Sequence, residues 1–261
     1  MENSTEKELV KYLHNLIAAK KYEVAIHEAD KAIACFSTPG DGYDLGYSFF
    51  DLREFMFFLV KYHITEEHRV IAWSSRQEAP ILMAKAYALF ELNDYEKAIA
   101  CLRLALEYNP VSVALRLEIV ENYLCLHQYE NAEKELRQLM KWLMYPKDIA
   151  QFYRRMGYLY TEIKQYTMAS ICFLWSLQFE KNKKAMDELL YIMIECRGMQ
   201  SAQEALDEIK KLTPEMVMRS LIVNNMMIYI DDERREFLMK GSDEESKKAV
   251  ELYRKLGVFF N

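Results

Sequence analysis

The sequence predicts an all-α protein, and three observations carry that prediction. Only seven glycines and five prolines punctuate 261 residues, too few turns for an all-β or α/β chain of this length. Leu, Ala, Glu, Lys and Met, which enter helices at little cost, are abundant. A tyrosine followed three residues later by an alanine recurs at Tyr22 and Ala25, Tyr95 and Ala98, Tyr129 and Ala132, and Tyr166 and Ala169, so one helical hairpin is copied along the chain.

Bulk properties narrow the function. With 51% hydrophobic and 28% charged residues the chain is expected to fold throughout. A net charge of −6 leaves no electrostatic footprint for a phosphate backbone, and nucleic acid is not an expected partner. The start, MENSTEKELVKYL, lacks the basic and apolar regions of a secretion signal, and no stretch approaches the ~18 uninterrupted apolar residues of a membrane helix. A soluble cytoplasmic protein is the expectation.

In chain order, residues 6–36 read as the first helical pair, with Thr5 and Glu8 as a capping box and Lys20-Lys21 as the turn. Proline and glycine at Thr38-Pro39-Gly40-Asp41-Gly42 mark a loop. Tyr22 and Tyr95 lie 73 residues apart, two 34-residue periods plus five, so residues 40–78 are expected to hold a divergent, aromatic-rich repeat or an insertion. Its aromatic helix would run from about residue 47 to 62. Phe49, Phe50, Phe55, Phe57, Phe58 and Tyr62 then either crowd a core or face a ligand or second subunit.

Residues 79–112 are the clearest unit. One amphipathic helix runs to Leu92, Asn93-Asp94 turns the chain, and a second helix runs from Tyr95 until Asn109-Pro110 stops it. Ala86, Ala98 and Ala105 fall where two backbones approach closely, with Leu82, Leu89, Leu102 and Tyr95 around them. Leu82, Ala86, Leu89, Tyr95, Ala98, Leu102, Ala105 and Pro110 resemble the tetratricopeptide repeat (TPR) pattern, from which Lys85 departs at the inner leucine position. The resemblance implies a right-handed superhelical solenoid of about five repeats plus a C-terminal capping region, used as a binding scaffold.

The next copy follows at a spacing of 34, Tyr129 and Ala132, with Tyr123, Leu136 and Leu139 as further matches. Tyr166 and Ala169 come 37 later, which places an enlarged joint near Tyr145 to Asp148; Gly157, Tyr160 and Phe173 restore the pattern. Residues 79–183 thus hold the three clearest repeats after the N-terminal pair of residues 1–39, and residues 184–214 a degenerate pair with Arg197-Gly198 at its turn. Residues 215–261 read as capping helices, begun by Thr213-Pro214-Glu215 and ended by a helix that Ser242 and Glu245 cap and Gly257 terminates. Val258-Phe259-Phe260 would fold back on the last apolar face or meet a second copy.

Chemistry-bearing motifs are sparse. Cys35, Cys101, Cys125, Cys172 and Cys196 lack C-x-x-C spacing and read as small core residues. His63, Glu66, Glu67 and His68 match neither H-E-x-x-H nor H-x-x-E-H, and Thr65 reads as a helix cap. Gly40, Gly42 and Gly46 follow no strand and no phosphate-loop spacing. No enzyme activity, cofactor or metal is expected.

In TPR proteins the first helix of each pair lines the concave side, and position by position the resemblance implies a groove of Met83, Tyr87 and Phe90; Leu117, Glu121 and Leu124; and Arg154, Tyr158 and Thr161. Arg154 and Arg155 either meet an acidic group of a ligand or pair with Glu118 or Glu121. One TPR subclass grips a chaperone's terminal carboxylate through asparagines, whose places hold Tyr87, Glu121 and Tyr158 here, so that clamp is not expected. The expected function is a non-enzymatic adaptor for a peptide or protein. The alternatives are a homo-oligomer joined through Phe49, Phe50, Phe259 or Phe260, and a peptide-sensing regulator acting through another protein.

Overall fold

The computed structural model describes residues 2–36, 47–61, 77–143 and 145–196, and every regular element among them is a helix. The chain divides into two compact units, Met1–His127 and Gln128–Asn261. The first unit contains α1 (Glu2–Ala18), α2 (Tyr22–Ile33), α3 (Leu52–Lys61), α4 (Glu78–Glu91), α5 (Tyr95–Tyr108) and α6 (Val113–Cys125). The second contains α7 (Tyr129–Leu139), a 3-10 turn (Met140–Trp142), α8 (Pro146–Glu162), α9 (Tyr166–Phe179), α10 (Lys183–Tyr191) and a π-helical turn (Ile192–Cys196).

The hairpins share one turn. Lys20, Asn93, His127 and Lys164, each two residues before a recurring tyrosine, adopt left-handed φ values of 57°, 60°, 55° and 61°. This conformation closes the preceding helix by turning its last amides back on its carbonyls. Asn93 N–H reaches Phe90 O at 2.9 Å and Asp94 N–H reaches Leu89 O at 2.9 Å; Lys20, Lys21, Lys164 and Gln165 repeat the pattern. The next helix then opens with Ala25, Ala98, Ala132 and Ala169 each donating to the carbonyl four residues back at 3.0 Å. Only glycine and, less readily, asparagine take this backbone conformation cheaply. Lys20→Gly and Lys164→Gly should therefore each raise stability by about 1 kcal/mol, and Asn93→Gly should change it little. Urea midpoints at constant m-value check the set, and equal shifts at all three sites would contradict it.

Packing in the first unit settles the order of the hairpins. Leu13 and Leu16 of α1 and Ala25 and Ala29 of α2 form one buried cluster with Ile81, Ala84 and Ala88 of α4. The opposite side of α4, Ala79, Leu82, Ala86 and Leu89, joins Ala98, Leu102 and Ala105 of α5 and Leu115 and Ile119 of α6 in a second cluster. The pair α1–α2 therefore sits directly on α4, and α3 does not stand between them. Tyr22 Oη donates to Glu91 Oε2 at 3.1 Å, and Tyr129 Oη donates to Glu162 Oε2 at the same distance, so each tyrosine ties its pair to the first helix of the next. The odd Lys85 is also explained, since its ammonium pairs with Asp30 of α2.

The intervening segment is attached elsewhere. Asp51 caps α3 by accepting from Arg53 N–H at 2.8 Å and Glu54 N–H at 3.0 Å, so the aromatic helix begins at Leu52 and not near residue 47. Ser48 N–H donates to Tyr108 O at 2.8 Å, and Asn109 Nδ2 donates to Glu54 Oε2 at 2.7 Å, which ties residues 47–61 to the end of α5.

In the second unit the three additional residues of the enlarged joint are taken up around the 3-10 turn, after which Tyr145 is extended and Pro146 occupies the first turn of α8. α8 and α9 pack closely at Gly157, where a β-carbon would stand 2.8 Å from the Phe173 ring. α9 is apolar almost all round: Ala169, Ser170, Cys172, Phe173, Leu174, Trp175 and Ser176 are all buried. Its Leu174 is buried where, in register, Arg103 and Arg137 are exposed on α5 and α7.

Two expectations change. α1 begins at Glu2, which puts Thr5 inside the helix and not at its cap. Cys35 is exposed, with its thiol directed at Lys31 O, so it is not a core residue. Of the divergent repeat or insertion expected over residues 40–78, the described part, residues 47–61, does not stand between α2 and α4. The His63 to His68 cluster, the partner helix expected after Arg197-Gly198, the helix at Pro214, the cap at Ser242 and the side chain of Cys196 lie outside the described residues.

Candidate protein-binding face

With one side of α4 against α1–α2 and the other against α5, a third stripe is left half-open. It carries Met83, Tyr87 and Phe90, at i, i+4 and i+7. α6, which packs on the same α5, offers Glu121 and Leu124 in the same half-open state. Leu117 departs from the expectation: at 3% exposure it is packed away and offers a ligand almost nothing. Phe90 is held edge-on to Tyr95 with ring centroids 5.4 Å apart. The α4 stripe thus offers a thioether, a phenol and a phenyl ring, and α6 offers a leucine and a carboxylate, side chains suited to apolar contact with a polar handle.

The second unit places Arg154, Tyr158 and Thr161 on α8. Arg154 is not a waiting ligand group, and its partner is neither Glu118 nor Glu121. Its guanidinium lies 2.8 Å from Glu180 Oε2 and donates to Ser176 Oγ at 3.2 Å, with only 12% of the side chain exposed. An arginine forked between two neighbours of its own unit is an internal brace. Thr161 Oγ1 donates to Gly157 O at 3.0 Å, and Tyr158 meets Phe173 edge-on at 5.3 Å while remaining half-buried. Ser176 and Glu180 escaped sequence reading because they follow Arg154 by 22 and 26 residues, with no local motif joining them.

Burial sets the ionisation of the interior. It pushes the Cys172 thiol and the Tyr153 phenol far up, and Tyr160 to about 12, so these groups keep their protons at neutral pH. Among the described residues no three His, Cys, Asp or Glu side chains converge on one point. No described helix is long and apolar enough to cross a membrane.

Residues 79–112 match the family model of the tetratricopeptide repeat. That stretch of the chain is a tetratricopeptide repeat. None of the curated proteins matches it. Among solved structures it is similar to one titled the first TPR of Spaghetti (RPAP3) bound to HSP90 peptide SRMEEVD, at 21% identity and a TM-score of 0.41, over 47% of this chain and 95% of that one. The candidate face is accordingly read from this chain's own residues. Of the aromatic residues considered for oligomer contacts, Phe49 is 4% exposed and packs with Tyr47, Phe55 and Phe58, which removes it from the surface. Phe50 is 37% exposed, and Phe259 and Phe260 lie outside the described residues.

Proposed function

We propose that this protein is a non-enzymatic TPR adaptor that binds a peptide or protein segment along the inner helices of its repeats. The half-open stripe of α4 carries the reading: Met83, Tyr87 and Phe90 are large apolar or aromatic side chains left partly uncovered along one line of the helix, between the sides that the two clusters bury. Glu121 and Leu124 extend the contact on α6. A ligand chosen by this face is largely apolar, and its affinity rests on aromatic anchors more than on charge.

Displayed peptide libraries panned against the full chain supply the probes, and calorimetry with the selected peptides supplies the test. Tyr87→Ala should weaken binding about tenfold or more, a loss of about 1.4 kcal/mol, while leaving the melting temperature nearly unchanged. Arg154→Ala should show the reverse, with affinity kept and stability reduced as Glu180 loses its partner. Peptides that bind the parent and Tyr87→Ala equally well would reject the assigned face.

A further inference from the structure

We propose that residues 47–61 form a detachable strap, closed over the link between α5 and α6 by Ser48 and Glu54 and able to open without unpacking the repeats beneath it. The repeats are complete on their own terms, because α1–α2 meets α4 directly and the Tyr22 to Glu91 bond joins them in the manner of Tyr129 and Glu162. The strap adds bonds at one end of that assembly.

Two residues make the closure. Ser48, fully buried, donates its amide to Tyr108 O at 2.8 Å, and its hydroxyl accepts from Ala79 N–H at 3.3 Å. Ala79 lies in the first turn of α4, where amides have no acceptor within the helix, and Gln77 supplies no side-chain cap. Ser48 therefore caps α4 from another part of the chain. Glu54 Oε2 accepts from Asn109 Nδ2 at 2.7 Å and from Phe50 N–H at 2.8 Å, and Ser112 also hydrogen-bonds to the carboxylate. The link that carries Asn109 and Ser112 is itself fixed, since Arg116 donates to Ser112 O at 2.9 Å and Pro110 O at 2.8 Å.

Charge gives the closure a direction. The groups acting on Glu54 are Asp51 on the strap, whose own charge is shared with Arg53 at 2.6 Å, the Phe50 amide, and the neutral Asn109 and Ser112 of the link. Burial, assisted by Asp51, outweighs the hydrogen bonds and holds the carboxyl above its ordinary value of 4.5. The closed strap thus binds a proton more tightly than the open one. Acidification from neutrality through the raised value favours closure, and the gain is complete once the pH falls below the ordinary value.

Residue-resolved amide exchange on the full chain, corrected for intrinsic rates, tests the strap. Ser48 and Phe50 should exchange faster than the core amide of Ala98, and their protection should rise several-fold from neutral to mildly acidic pH. Ser48→Ala should strip protection from Ala79 while sparing Ala98. Glu54→Gln, which keeps an acceptor and removes the charge, should hold the acid-side protection at both pH values. Strap and core amides exchanging together, or a pH response that survives Glu54→Gln, would overturn the proposal.

Discussion

Ala98→Phe should lower the stability of this protein by about 3 kcal/mol, at the upper end of what overpacking costs. Ala98 is fully buried in the cluster that joins α4, α5 and α6, with Ala86, Leu82, Leu102, Ala105 and Leu115 as fellow members. A benzyl group there enters a closed cluster that leaves it no exposed space, so two helices must separate or the ring must turn outward, exposing apolar surface in either case. Ala100, two residues on, is exposed and provides the control: Ala100→Phe should stay within about 0.5 kcal/mol of the parent. Urea unfolding with a common m-value separates these outcomes. Equal stabilities for the two variants would mean that the alanine spacing does not report the seam between helices.

That spacing made much of the architecture legible. A hairpin turn is local, and its signature, a left-handed residue two before a tyrosine and then an alanine that donates the first helical bond, is written within six residues. Asn93-Asp94 and Pro110 bounded their helices to within a residue for that reason, since turn geometry and proline act on their immediate neighbours. The 73 residues between Tyr22 and Tyr95 were ambiguous because a repeat period constrains only copies that stack. A segment that does not stack, as residues 47–61 do not between α2 and α4, has no period to keep.

The candidate face was legible in part for a similar reason. The family resemblance put Met83, Tyr87 and Phe90 on the inner side of α4, but a position in a repeat carries no information about how deeply a neighbouring helix covers it. Leu117 occupies on α6 the place that Met83 occupies on α4, yet it is buried while Met83 is half-open. Arg154 was left between two readings because a cation on an inner helix is either a recognition group or a brace. The choice depends on Ser176 and Glu180, at the far end of the following helix. Long-range pairs of this kind are fixed by packing, and packing is what one sequence does not state.

Gly157 and Phe173 form such a pair, and their coupling should be measurable. The Phe173 ring is fully buried and lies over the place where a β-carbon on residue 157 would stand, at 2.8 Å from two of its ring carbons and 2.9 Å from a third. Phe173→Ala should cost about 3–5 kcal/mol through lost contacts and a cavity. Gly157→Ala should cost about 1–2 kcal/mol, because the clash with an immobile ring exceeds the roughly 1 kcal/mol that alanine gains over glycine inside a helix. In the Phe173→Ala background the ring is gone, the new methyl group enters vacated space, and only the helical gain remains. Gly157→Ala should then turn neutral or stabilising, an interaction energy of about 2 kcal/mol between residues whose separate effects are both unfavourable. Urea unfolding of the four proteins closes the cycle, and additivity within about 0.5 kcal/mol would mean that α8 and α9 do not depend on a bare glycine for their close approach.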